Sequence, residues 1–120
     1  MNSDTEFEVN ETVFEDILKK YNFRAIYGDG VIGFYPDETS YHFCIIGSFT
    51  FKLRPLRLKI RIFDEIKIKH DRIVGCSDKS TLCKNIEDVE KCLQNISAQR
   101  KKLLVYFKIK SINKDFKKGE

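Results

Sequence analysis

Apolar residues recur along this chain with two different periods, and the changes of period mark out its elements. Val13, Phe14, Ile17, Leu18 and Tyr21 follow helical spacing. Asn10 stands where an N-cap is wanted, and Thr12 with Glu15 also has capping-box spacing. Glu11, Glu15 and Asp16 lie in the early turns and Lys19 and Lys20 in the last, an order that suits the helix dipole. Asn22 can take the left-handed conformation that ends a helix. The pattern predicts a helix over 11–21, preceded at Phe7 and Val9 by a short strand or a hydrophobic staple.

Residues 23–27, the turn Gly28-Asp29-Gly30 and residues 31–35 read as a hairpin. Pro36-Asp37-Glu38 opens the next turn. Residues 41–53 are rich in aromatic and β-branched side chains and predict a long strand, with Gly47-Ser48 marking a bulge or bend. Arg54-Pro55 ends it, since proline cannot donate to a ladder.

A clear period of two follows. Leu56, Leu58, Ile60 and Ile62 alternate with Arg57, Lys59 and Arg61, and Ile66 and Ile68 alternate with Lys67 and Lys69. A three-residue loop, Phe63-Asp64-Glu65, would pair Ile62 with Ile66 and Arg61 with Lys67, and a single bent strand over 56–70 keeps the same parity. Both arrangements put five cations on one face of the sheet. Residues 75–82 read as loop. Asn85 with Asp88 is a second capping signature, and Ile86, Val89, Cys92, Leu93 and Ile96 form the apolar stripe of a helix over 86–100. Val105, Phe107 and Ile109 predict a last strand over 103–112; a longer helix is the alternative, because Ile96, Leu103 and Phe107 also fit its period. The expected architecture is α+β: an antiparallel β-meander flanked by two helices, in the order α-β-β-β-β(β)-α-β. One domain spans 7–112, with flexible ends at 1–6 and 113–120.

Charge changes this picture more than composition does. Residues 1–50 carry 3 Lys/Arg against 9 Asp/Glu, whereas residues 51–120 carry 19 against 9. The basic excess concentrates in 51–72 and 97–120. Such asymmetry steers association with anionic partners. Glu6, Glu8, Glu11, Glu15 and Asp16 form an acidic patch around the first helix. If that patch folds against the basic face it neutralises part of it; if it lies opposite, the molecule is dipolar.

The face made by Arg57, Lys59, Arg61, Lys67 and Lys69 is the main candidate site. The wet side of a half-buried sheet must be polar in any case. Yet like charges across a ladder repel, a cost that a bound anion offsets. Lys110, Lys114, Lys117 and Lys118 add phosphate contacts from the C-terminal end. No helix-turn-helix, RNP or zinc-finger signature is present, so the expected partner is nucleic-acid backbone or an acidic protein surface. A second expectation is a protein-binding inhibitor, immunity or accessory protein of a phage or mobile element. Small size and a coding bias toward Lys and Ile, with 16 Lys and 14 Ile against 2 Ala, suit that class.

Enzymatic chemistry has one thread. Pro36-Asp37 followed by Glu65-Ile66-Lys67 resembles the PD-(D/E)xK nuclease pattern, and the element order resembles that family's core. The resemblance implies that Asp37 and Glu65 hold Mg²⁺ and that Lys67 positions the attacking water. Turn chemistry is the plainer account of Asp37 and Glu65. The cysteines at 44, 76, 83 and 92 have no zinc spacing; Cys44 and Cys92 read as small core residues, and Cys76 and Cys83 with His70 are a remote metal candidate. No metal and no cofactor is therefore expected. No uncharged apolar run approaches the ~20 residues that span a bilayer, and the acidic first ten residues lack the basic start of a signal peptide. The expectation is a cytoplasmic protein that does not enter membranes.

Overall fold

The computed structural model of the chain describes residues 6–36 and 42–118, with 107–118 as backbone only. It is α+β, as the periodicities predict. Helix α1 (Glu11–Lys20) is capped by Asn10, whose Oδ1 accepts from the amides of Thr12 at 2.8 Å and Val13 at 3.4 Å. It stops at Asn22, where φ is +60°. There Asn22 N–H bonds to Lys19 O at 3.1 Å and Phe23 N–H to Leu18 O at 2.8 Å, the paired bonds of a Schellman motif. Phe14, Leu18 and Phe23 are all buried, so the stop signal also seats the chain on the core.

Strands β1 (Phe7–Glu8), β2 (Arg24–Ile26), β3 (Val31–Phe34), β4 (Cys44–Lys52) and β5 (Arg57–Phe63) join β8 (Ser80–Cys83) in one sheet. The order is β1-β5-β4-β3-β2, with β8 also on β5, and every pairing is antiparallel. The expected irregularity in the long strand is present. Ile32 faces Gly47 while Gly33 faces Ile45, leaving Ile46 as the extra residue. Leu58, Ile60 and Ile62 point to one face and are fully buried with Ile32, Phe34 and Ile46. Phe14 and Leu18 of α1, and Val89, Leu93 and Ile96 of the second helix, complete this core. Both helices therefore cover the same side of the sheet.

Strands β6 (Ile66–Lys69) and β7 (Arg72–Gly75) form a separate two-stranded sheet. This overturns both readings of the 56–70 segment. Ile62 does not pair with Ile66, because β8 takes the place beside β5 that β6 was expected to fill. Instead β6 turns back on β7 through His70-Asp71, with φ of +52° and +61°, the two positive angles of a type I′ turn. Residues 75–82 are likewise not all loop, since β7 and β8 reach into both ends. Side chains of the second helix hold the break between β5 and β6. Asn95 Nδ2 and Gln99 Nε2 each donate to Asp64 O at 2.9 Å, and Gln99 Oε1 accepts from Ile66 N–H at 2.9 Å.

Helix α2 (Ile86–Lys118) starts at Asn85, whose Oδ1 accepts from Asp88 N–H at 2.8 Å; Asp88 returns a carboxylate oxygen to Lys84 N–H at 2.9 Å. It does not end near 100. The expected strand over 103–112 is helix, and so are residues 113–118 of the expected flexible tail. Ala98, Gln99, Arg100, Lys101, Lys102, Leu103 and Leu104 are good helix formers, with no Gly or Pro to stop propagation. Extending an existing helix by a residue is cheaper than nucleating a new strand. Val105 and Tyr106 are exposed, at 57% and 49%, so α2 has left the core by that point.

A candidate anion-binding face

The exposed side of the main sheet carries the alternate residues of β5: Arg57, Lys59 and Arg61. Across the ladder they face Lys52, Thr50 and Ser48 of β4 respectively, and residues directly opposite share a face. Successive cations on β5 are about 7 Å apart, two strand residues. Arg61 donates from Nη1 to Ser80 Oγ of β8 at 3.1 Å. The result is a row of guanidinium and ammonium groups flanked by hydroxyls, on the side that neither helix covers. Lys52 belongs to this row but escaped the sequence reading. Its place on the face depends on the β4–β5 register, which the residue pattern does not state.

The five expected cations do not share one sheet. Lys67 and Lys69 lie on β6, where they face Val74 and Arg72 of β7. Arg72 joins them as a further exposed cation. Lys110, Lys114, Lys117 and Lys118 all fall on α2. Arg100, which counted toward the C-terminal basic block, is turned inward. Its guanidinium carbon lies 4.4 Å from the Phe34 ring centroid, and Nη1 donates to Tyr21 O at 3.5 Å. Burial lowers its pKa from the usual arginine value.

The acidic N-terminal half divides between the two sides. Glu8 on β1 faces Arg57 on β5, and Glu6 pairs with Lys52 at 3.6 Å. One end of the basic row is thus partly neutralised. Among the described residues no ion pair involves Lys59 or Arg61; the two pairs present are Lys52–Glu6 and Lys20–Glu90. On the helix-covered side, Glu15 of α1 and Glu90 of α2 each have hydrogen-bond partners. Glu15 accepts from Tyr27 OH at 2.8 Å, and burial with that bond pushes the Tyr27 phenol up. Glu90 of α2 accepts from Lys20 Nζ at 3.0 Å and from Tyr21 OH at 2.8 Å. The Lys20 hydrogen bond lowers the Glu90 pKa, and the same bond raises that of Lys20.

The nuclease-like residues do not assemble into a described site. Asp37 lies outside the described residues. Glu65 is exposed in the β5–β6 junction, outside any strand, and its carbonyl accepts from Cys76 N–H at 2.9 Å. Lys67 is exposed on β6. Among the described residues no three His, Cys, Asp or Glu side chains cluster as metal ligands. Nor do Cys76, Cys83 and His70 form a set. His70 is in the hairpin turn, while Cys83 is fully buried and lies 3.9 Å from Cys92, Sγ to Sγ. That cysteine pair carried no spacing signal, because it joins a strand to a helix.

Among the described residues no helix is long and apolar enough to cross a membrane. Compared with protein-family models, with curated proteins and with solved structures, the chain matches none.

Proposed function

We propose that this protein is a non-enzymatic cytoplasmic binding protein whose basic sheet face engages nucleic-acid backbone. The observation that carries the reading is the placement of Lys59 and Arg61, without acidic partners among the described residues, between the hydroxyls of Thr50, Ser48 and Ser80. Cations with neighbouring hydroxyl donors suit phosphate oxygens, and phosphate contacts position a protein without reading sequence. Lys67, Lys69 and Arg72 on the second sheet are further exposed cations available to a long polyanion.

The test is a salt titration of binding to labelled mixed-sequence DNA and RNA, with and without Mg²⁺. Affinity for duplex should fall linearly in log–log form, with a slope of about −0.9 per phosphate neutralised. The variant Lys59→Glu/Arg61→Glu should abolish binding at low salt while retaining the fold. Absence of wild-type binding at low salt overturns the reading, and Mg²⁺-dependent cleavage would replace it with the nuclease.

A second reading, a protein-binding accessory factor of a phage or mobile element, is favoured by Phe51 and Leu53. They stay 37% and 60% exposed, and Leu53 borders an open cleft with Glu8, Val9, Asn10, Glu11, Arg54, Pro55 and Leu56. An interface centred on those apolar groups would resist salt that dissolves phosphate contacts.

A further inference from the structure

Cys83 and Cys92 are brought together by the fold rather than by the sequence. Cys83 ends β8 and has no exposed surface; Cys92 lies on α2, one turn after Asp88, and is half-buried. The Cys83 thiol donates to the Cys92 sulfur at 3.9 Å. Cys44 and Cys76 are elsewhere, at the start of β4 and just after β7. A disulfide needs its sulfurs about 2 Å apart, and rotation of the two side chains about χ1 between staggered wells moves sulfur by that order.

We propose that Cys83 and Cys92 form an oxidisable dithiol that hydroperoxides close into an intramolecular disulfide, tying β8 to α2. The two thiols have different roles. Cys92 is the accessible member, and the hydrogen bond from Cys83 favours its thiolate and lowers its pKa, while burial and the carboxylates of Asp64 and Asp88 oppose that shift. The same hydrogen bond, with burial, pushes the Cys83 thiol up and keeps it protonated. In the first step the Cys92 thiolate attacks one oxygen of the hydroperoxide. The O–O bond breaks, Cys92 becomes a sulfenic acid, and the other oxygen leaves with a solvent proton as water or alcohol. In the second step the Cys83 sulfur attacks the Cys92 sulfur. The S–O bond breaks, and hydroxide leaves with the Cys83 proton as water. The two thiols together give up two electrons, and the hydroperoxide takes both.

The consequence reaches the basic face. Strand β8 lies on β5, with Leu82 opposite Arg61 and Ser80 Oγ holding the Arg61 guanidinium. A covalent tie between the end of β8 and α2 would suppress local opening of that edge.

The experiment treats the full-length protein with hydrogen peroxide, blocks remaining thiols after denaturation, and maps peptides without reduction. The expected result is loss of two of the four thiols, a reduction-sensitive link between the peptides carrying Cys83 and Cys92, and slower amide exchange over 80–83. In Cys83→Ala, Cys92 should stop at the sulfenic acid or proceed to the sulfinic acid. Wild-type protein in which Cys92 reaches sulfinic acid while Cys83 stays a thiol overturns the proposal. So does a disulfide that uses Cys44 or Cys76, or one between two chains. The wild-type mapping needs no variant, so a Cys83→Ala protein that fails to fold leaves it intact.

Discussion

Glu8 stands directly opposite Arg57 across the β1–β5 ladder. With Glu6 paired to Lys52 at 3.6 Å, two carboxylates from the start of the chain occupy one end of the basic row. Opposite charges facing each other on a sheet contribute about 0.2–1 kcal/mol. A polyanion that uses that end must displace them. Glu6→Gln/Glu8→Gln should therefore bind nucleic acid about two- to five-fold more tightly at low salt, with the gain shrinking as salt rises. Fluorescence anisotropy checks this. Weaker binding by the variant would mean that β1 serves the interface rather than competing with its ligand.

The two sheets meet at Gly75. A Cβ there would lie 2.7 Å from Ile45 O and overlap the Phe63 ring. Backbone and an aromatic ring cannot both give way in a packed site, so Gly75→Ala should cost about 1–3 kcal/mol. Gly28→Ala is the control, since nothing lies within 4 Å of its Cβ position. Urea unfolding of both variants compares them directly; equal midpoints would show that the β6–β7 hairpin is loosely docked.

Burial pushes the Cys44 thiol up to about 12 from its ordinary 9.0, with the nearby Arg100 charge pulling the other way. Between those values the unfolded chain has lost the proton and the folded chain keeps it. Stability must then fall as pH rises, by about 1.4 kcal/mol per pH unit for one such group. Below pH 9 this contribution is fully present. Tyr27 and Cys83 are also pushed up and steepen the alkaline loss. Cys44→Ala is expected to start less stable and to lose stability more slowly between pH 9 and 11. Parallel denaturation profiles for the two proteins would contradict the assignment.

Arg100 places a charge against Phe34, and its Nε has no hydrogen-bond partner among the described residues. Its stem packs, but its desolvation is poorly repaid. Arg100→Met should unfold within about 1 kcal/mol of wild type, or be more stable. It should also leave the salt slope of nucleic-acid binding unchanged, because the group faces inward. A large loss of stability would show that the cation–ring contact outweighs the desolvation.

Local patterns carried much of the fold. The spacing of Val13, Phe14, Ile17 and Leu18 with Asn10 and Asn22 placed α1 nearly to the residue, and the alternation from Leu56 to Ile62 correctly separated core side chains from cations. The β6–β7 hairpin was missed because His70-Asp71 lacks the Asn-Gly or Asp-Gly signature of a two-residue turn. The candidate site was legible only in part. Arg57, Lys59 and Arg61 were readable from parity, but Lys52, Arg72 and the inward turn of Arg100 were not.

By itself the sequence determined which segments prefer helix or strand, where α1 starts and stops, which face of β5 is wet, and how unevenly charge is spread. Those properties depend on neighbours within a few residues, where the 3.6 and 2.0 periods operate. Tertiary structure alone decided that β8 rather than β6 lies beside β5, that Glu6 and Glu8 reach the basic row, and that Cys83 meets Cys92. Each of those depends on which strand edge or helix face is still open once the rest of the chain has packed. That choice is made by contacts between residues far apart in sequence, and a pattern that repeats every few residues does not encode it.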